Sequence, residues 1–287
     1  MKKIITVILI AIVSTFVQAQ DLNISQYAFY RDGMNPASFM QNNDVNVFVL
    51  YNNEFSGFEQ QPNTQIADVS LNMNGHKIGL AVINDIIGFD KAQNVKLRYA
   101  RQFTLSEKSF FSLGLSAGAM HNRLEATRMS FEYADDPLSY SDYAHTRLDF
   151  DFGTEFQFDR LFVGFSVTHL GKQVSNPEND NPISHYYGYA QYAINSNNAF
   201  RFYPNVLARV WKNTFWGEAG LIAFYKNKAW LGATYTGYHD LTFTAGMRIA
   251  KNILFGYAFQ SNMNAQILKP WGTNTPVSYT HLTLPTN

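Results

Sequence analysis

The chain has 287 residues, with 22 basic and 22 acidic side chains and no cysteine. That balance gives no electrostatic footprint for nucleic acid, and the missing thiols remove disulfides and thiolate metal sites. Hydrophobic residues make up 46% and aromatic ones 16%, yet beyond the N-terminus no apolar run is long enough for a membrane-spanning helix. Lipid-facing β-barrels and secreted β-sandwiches share this composition.

The first element reads as an export signal. Lys2 and Lys3 precede an apolar run from Ile4 to Val17, and Val17-Gln18-Ala19 supplies a peptidase site. The run is shorter than the roughly 20 residues of a spanning helix, so residues 1–19 are expected to be cleaved. Residues 20–44 follow as a periplasmic N-terminal segment or a plug. Ser25, Gln26 and Tyr27 stand in it, ahead of Asn35, Pro36 and Ala37. Asn35-Pro36 reads as a turn, because the residue before proline is biased away from helix. Ser25, Gln26 and Asn35 can satisfy backbone groups; the economical reading is that they cap the entry to the first strand, and contact with a partner is the sharper one.

From residue 45 onward a train of strands is expected, near 45–53, 66–74, 77–86, 93–104, 109–121, 146–158, 161–170, 185–194, 200–211, 214–225, 228–236, 240–249 and 252–262. The clearest runs from Arg147 to Phe158. Leu148, Phe150, Phe152, Phe156 and Phe158 fall on one face, and Asp149, Asp151, Glu155 and Gln157 on the other. Val95, Leu97 and Tyr99 alternate with Lys96, Arg98 and Gln102 in the same way, as do Leu241, Phe243, Ala245, Met247 and Ile249 with Thr242, Thr244, Gly246 and Arg248. Around Trp216 to Phe224 both faces are apolar and the orientation stays open.

The connections sort by parity. Tight ones fall at Asn74-Gly75-His76, Leu105 to Lys108, Asp159-Arg160, Asn195 to Ala199, Lys226-Asn227 and Ala250-Lys251. Longer ones fall between them, at Glu54 to Gln65, Ile87 to Gln93, Asn122 to Thr146 and Gly171 to Ser184; the connections near Lys212-Asn213 and Gly237 to His239 are short where long ones are due. Short periplasmic turns alternating with longer outer loops point to an antiparallel transmembrane β-barrel of an outer membrane, and a sandwich has no reason to sort its loops so. Lys96, Arg98, Asp149, Asp151, Glu155, Arg201, Arg209 and Arg248 would face the lumen. Opposite charges there favour closure by ion pairing over a selective pore, which shows a ring of one sign.

About 13 strands is an odd count for a single-chain barrel. The tail from Val277 reads VSYTHLTLPT, which looks like a translated sequencing adapter. The expectation is therefore a barrel over residues 45–276, an artefact at 277–287, and a fourteenth strand missing by truncation. No G-x-S-x-G, H-E-x-x-H, P-loop or EF-hand pattern is present. Ser166 and His169 would point to opposite faces of one strand, against a lipid hydrolase. Asp135, Asp136 and Asp142 read as part of a solvated loop. No catalytic residue, metal ligand or cofactor is assigned.

Two stretches carry a family resemblance. Asp21-Leu22-Asn23-Ile24-Ser25-Gln26-Tyr27 followed by Asn35-Pro36-Ala37 resembles the D-x-x-F-S-Q-Y and N-P-A opening of the PorP/SprF family, with Ile24 at the usual Phe. Phe55-Ser56-Gly57-Phe58 with Gln61-Pro62-Asn63-Thr64 resembles its W-x-G-F…P-x-T stretch, with Phe55 near the expected Trp. Gly57, Phe58, Pro62 and Thr64 thereby join the N-terminal residues as candidate partner contacts. The resemblance implies a non-enzymatic outer-membrane protein of the type IX secretion and gliding-motility system of Bacteroidota. It also implies its partners: a secreted adhesin-like protein with a C-terminal sorting domain, other secretion-system components and outer-membrane lipid. A passive porin or hydrophobic-solute transporter is the alternative.

Overall fold

The computed structural model describes residues 27–39, 45–54, 60–129, 142–170, 183–195, 199–237 and 240–262, together with the backbone of 275–284. Its strands are β1 (Val45–Asn53), β2 (Asn63–Met73), β3 (His76–Ile87), β4 (Asp90–Ser106), β5 (Ser109–Leu124), β6 (Tyr143–Phe158), β7 (Leu161–Thr168) and β8 (His185–Tyr192). They continue with β9 (Ile194–Asn195), β10 (Phe200–Trp211), β11 (Thr214–Tyr225), β12 (Ala229–Thr236), β13 (Asp240–Ala250), β14 (Ile253–Asn262) and β15 (Thr275–Leu284). Every pairing is antiparallel. The two-residue β9 only extends the edge of β10, and the other strands form a closed circuit, β8 pairing with β10, β10 with β11, and β15 with both β14 and β1. Closure leaves no strand without partners on both sides, the condition for a sheet to cross hydrocarbon.

Two expectations change. Sequence analysis leaves the fourteenth place in the circuit empty, whereas Thr275–Leu284 fills it: Val277 to Leu284 pair with β1 and Thr275 to Leu282 with β14. Ladder hydrogen bonds join backbone groups whatever the side chains are, so an extended ten-residue segment satisfies both edges. The long connection expected over Ile87 to Gln93 is a tight hairpin, with Ile87 opposite Asp90 and Gly88 at φ +63°. Asp90, Lys91 and Gln93 are polar, yet with Ala92 they stay in the ladder opposite Asn84 to Ile87.

Alternation sets the two faces of the wall. Val95, Leu97 and Tyr99 on β4, Leu148, Phe150 and Phe152 on β6, and Phe243 and Met247 on β13 are exposed outward. Lys96, Arg98, Asp149, Asp151 and Thr242 between them are buried inward. On β11 the ambiguity resolves, with Trp216, Glu218 and Ile222 inside and Phe215, Leu221 and Tyr225 outside. Both faces look greasy there because the lumen itself has an apolar side.

β6, with β5 beside it, rises above β7. β6 pairs with β5 from Tyr143 to Phe158 but with β7 only from Phe152 to Phe158. On this flap the outward side chains change from Val95 and Leu148 to Gln93, His121 and Thr146, which marks the upper edge of the lipid belt. Its tip is clasped by Glu125, which accepts from Lys91 Nζ and Arg128 Nη1, both at 2.6 Å. Lys91 first, then Arg128, hold the Glu125 carboxyl below the usual range. A depressed carboxylate contributes order above its ordinary pKa and loses it as pH falls through the lowered value. Amide exchange at Arg128 and Met129, whose N–H groups close this turn, should therefore accelerate below about pH 4 and stay slow at neutral pH. The lipid face is checked separately: Leu97→Arg should destabilise the barrel in bilayers by about 2–4 kcal/mol, read from urea titration of heat-modifiable gel mobility.

Candidate functional site

Residues 27–39 fold back into the cylinder. Tyr30 N–H bonds Tyr27 O at 3.0 Å, a 3-10 turn spans Arg31–Gly33, Asn35 N–H bonds Arg31 O at 2.8 Å, and Ser38 N–H bonds Asn35 O at 3.1 Å. These local bonds give a compact plug rather than an extended lead-in. Tyr27, Tyr30, Arg31, Met34, Asn35, Ala37 and Ser38 are all buried.

One side of the plug is held by charge. Arg31 Nε pairs with Glu155 Oε2 at 3.0 Å, and Arg31 Nη1 donates to Gln191 Oε1 at 2.7 Å. Glu155 also accepts from Tyr189 Oη at 2.5 Å and from Phe39 N–H at 3.0 Å, so its lone pairs are shared among three donors. Lys77 pairs with Asp32 and donates to Ser38 O at 2.7 Å. Arg98 pairs with Asp68 and donates to Asp32 O at 2.9 Å, while Tyr30 Oη donates to the other Asp68 oxygen at 2.5 Å. Burial works against ionisation of Asp32, but Lys77 and Arg98 overcome it and hold the carboxyl below its ordinary range.

The turn Asn35-Pro36-Ala37 sits in a notch. Gly114 on β5 and Gly153 on β6 lie directly opposite each other. A Cβ at Gly114 would come within 2.4 Å of the Pro36 carbonyl carbon and Ala37 N, and one at Gly153 within 2.0 Å of Asn35 Oδ1. Only glycine lets the plug backbone approach this closely. Asn35 Nδ2 donates to Thr154 O at 3.0 Å and to Tyr189 Oη at 2.9 Å, and its Oδ1 accepts from Ala37 N–H at 2.9 Å. Ser112 Oγ donates to Ala37 O at 2.8 Å and Ser166 Oγ to Met34 O at 2.6 Å.

The other side of the plug is greasy. Tyr30 stacks on Phe48 with centroids 4.0 Å apart, and Phe29 lies 5.2 Å from Trp230. Leu50, Ile66, Ile83 and Ile222 complete this cluster. Tyr27 and Met34 pack with Tyr187, Leu207, Trp211 and Trp216, and Tyr27 Oη donates to Asn205 Oδ1 at 2.7 Å.

Nearer the outer loops, Lys96 Nζ bridges Asp149 at 2.9 Å and Asp151 at 2.8 Å. His169, at φ +57°, places Nδ1 2.9 Å from Asp149 and donates its N–H to Asp151 at 3.1 Å. Ligand atoms of Asp149, Asp151 and His169 lie within 4.8 Å of one another and could hold a metal. The Lys96 ammonium already offsets one of the two carboxylate charges, and the cluster anchors the start of an outer loop.

The expected site residues divide accordingly. Lys96, Arg98, Asp149, Asp151, Glu155 and Arg209 lie buried inside the cylinder. Arg201 and Arg248 do not: both are exposed at the turn end, where Arg248 donates to Asn227 O and Lys251 O, because their inward-pointing positions lie beyond the enclosed length. Tyr27, Asn35, Pro36 and Ala37 contact the barrel wall; their burial leaves no surface for a partner in this conformation, and Asn35 does not cap the first strand. Pro62 O accepts from Glu54 N–H at 2.9 Å, and Thr64 Oγ1 donates to Asp85 at 2.5 Å, both at the loop end. Ser25, Gln26, Gly57 and Phe58 lie outside the described residues. Sequence reasoning missed Arg31, Asp32, Asp68, Lys77 and Tyr189. A signal existed in Asp68, a lone charge between Ala67 and Val69 on an apolar strand.

Comparison with known proteins decides the family. The family model for the type IX secretion system membrane protein PorP/SprF matches residues 16–277. The chain belongs to the PorP/SprF family. No curated protein matches it in sequence. Among solved structures, the CymD monoaromatic hydrocarbon channel is similar at TM-score 0.54 and 10% identity, over 94% of this chain and 95% of that one. A TodX deltaS2S3 mutant monoaromatic hydrocarbon channel is similar at 0.54 and 8%, over 92% and 95%. The toluene transporter TodX of Pseudomonas putida scores 0.46 at 9% identity, over 91% and 93%. At these identities the likeness is one of fold. This PorP/SprF chain is a β-barrel of the outer membrane, and residues 27–39 pack against the inside of its wall.

Glu155→Gln leaves the Arg31 guanidinium buried without its counter-charge, a loss of about 3–5 kcal/mol. The plug should become protease-sensitive at Arg31 while the strands stay protected, and mass mapping of the tryptic fragments reads this directly.

Proposed function

We propose that this barrel supports the secretion or cell-surface anchoring of a type IX-secreted, adhesin-like protein with a C-terminal sorting domain, alongside other secretion-system components, and that it catalyses no reaction. The observation carrying this reading is the plug: the family's own Asn35-Pro36-Ala37 turn is built into a closure of the lumen. A closed cylinder suits a protein that holds or guides a partner better than one that passes solutes. The membership itself supports work with other components of the secretion system.

The second reading is a passive channel for hydrophobic solutes. It draws on the hydrocarbon channels that share the fold and on the aromatic side of the lumen. The ion pairs that lock the plug weigh against it, since a passive path has to be open at rest.

Deletion of the gene should remove a large sorting-domain protein from the cell surface, or release it into the culture fluid, as surface and medium proteomes compared side by side will record. An unchanged surface would count against anchoring. In planar bilayers the intact protein should give no steady conductance, whereas a stable open level would favour the channel.

A further inference from the structure

We propose that the turn end of the barrel, on the side of β10 to β14, is a docking site for an acidic polypeptide segment of a periplasmic partner. The site rests on the tight turns facing the periplasm, as in barrels of this kind, and not on which protein is secreted.

Three adjacent turns bring its cations together. Arg201 is the second residue of β10, Lys226 and Lys228 lie in the turn between β11 and β12, Arg248 is near the end of β13, and Lys251 lies in the turn that follows. Hydrogen bonds make the group contiguous. Lys226 N–H bonds Ala199 O at 2.6 Å, and Arg248 N–H bonds Lys228 O at 2.6 Å. The Arg248 guanidinium ties two of the turns to each other, donating to Asn227 O at 3.1 Å and to Lys251 O at 2.6 Å. All of these basic side chains are exposed. No aspartate or glutamate stands in residues 193–204, 223–232 or 245–257. Elsewhere the turn end is balanced: Glu107 precedes Lys108, and Asp159 lies 3.9 Å from Arg160. Positive charge is therefore gathered on one side of the mouth, where its self-repulsion is relieved by an anionic partner.

Two features select the partner. Arg201 and Arg248 alternate with Phe200 and Met247, which face lipid, so both arginines border the aqueous mouth and not the phospholipid headgroups. Further in lies an aromatic floor. Tyr203 is two residues in from Arg201, Trp230 is two residues in from Lys228, and Phe224 is directly opposite Arg201. The Phe224 ring lies 5.5 Å from Tyr203 and 5.6 Å from Trp230. Tyr203 and Phe224 are only partly buried, so this floor still offers apolar surface. A cationic lip beside an aromatic floor fits a chain that carries carboxylates and apolar side chains together. A free phosphate offers only the charge.

The full chain, in nanodiscs of phosphatidylcholine, is titrated against a fluorescein-labelled peptide of alternating Glu and Phe, with anisotropy as the readout. Binding should saturate and weaken with added salt, and the matching peptide of Gln and Phe should bind far less. Lys226→Gln/Lys228→Gln/Lys251→Gln, checked for folding by heat-modifiable gel mobility, should lower the affinity roughly tenfold or more. Lys108→Gln/Arg160→Gln, in the balanced turns, should leave it unchanged. No saturable binding of the acidic peptide, equal binding of the glutamine peptide, or an equal loss in the two variants would overturn the site. Loss of peptide binding in nanodiscs of phosphatidylglycerol, restored on return to phosphatidylcholine, would assign the cations to lipid and overturn it as well. None of these outcomes touches the deletion phenotype that tests the secretion reading.

Discussion

The width of the cylinder governs everything inside it. About eight strands make a barrel that its own inward side chains can fill; at fourteen they no longer meet across the axis. Hydrocarbon outside demands a closed ladder, and closure at this size leaves a lumen that must either be wet or be packed by something else. Here the chain packs it with its own N-terminal residues. The plug is short, so it works by density of contact. Nearly every polar atom it carries inward finds a partner on the wall, and Phe29 and Tyr30 supply the apolar contacts.

Charge does more than hold the plug in place. Arg31, Lys77 and Arg98 each face a carboxylate in surroundings that exclude most water. Such pairs offset their own desolvation only when the geometry is good and the remaining lone pairs are filled, and Glu155, with donors from Arg31, Tyr189 and Phe39, meets that condition. They also fix one seating of the plug, because a shift of a few ångströms would strand several charges together. The Gly114–Gly153 notch makes the same demand sterically.

Much of this was legible in the amino acids. The strand train, its turn parity and the outward aromatics follow from a period of two that lipid enforces on one face. Asp149, Asp151 and Glu155 could be placed inside from β6 alone. A plug is one of two readings the sequence leaves open for residues 20–44, but its seating is not legible, because Tyr27 to Phe39 carries no period: its order comes from wall residues such as Asp68, Lys77 and Gly153, distant in sequence. β11 resisted for a related reason. Trp216 and Ile222 look lipid-facing by composition, and only the tertiary context, an apolar plug surface behind them, makes them interior. The hairpin at Gly88 looks like a loop in the amino acids because Asp90, Lys91 and Gln93 are polar, yet these are ladder residues opposite Asn84 to Ile87.

The two unlike sides of the lumen bear on what happens when the plug moves. Withdrawn, it would uncover ionised groups along β2 to β6 and bare aromatic and aliphatic surface along β1 and β11 to β12. Water would run down the first side and recede from the second. The opening would then be a crescent and not a round bore, hydrated along one flank and oily along the other, and its usable cross-section would be far smaller than the girth of the cylinder suggests.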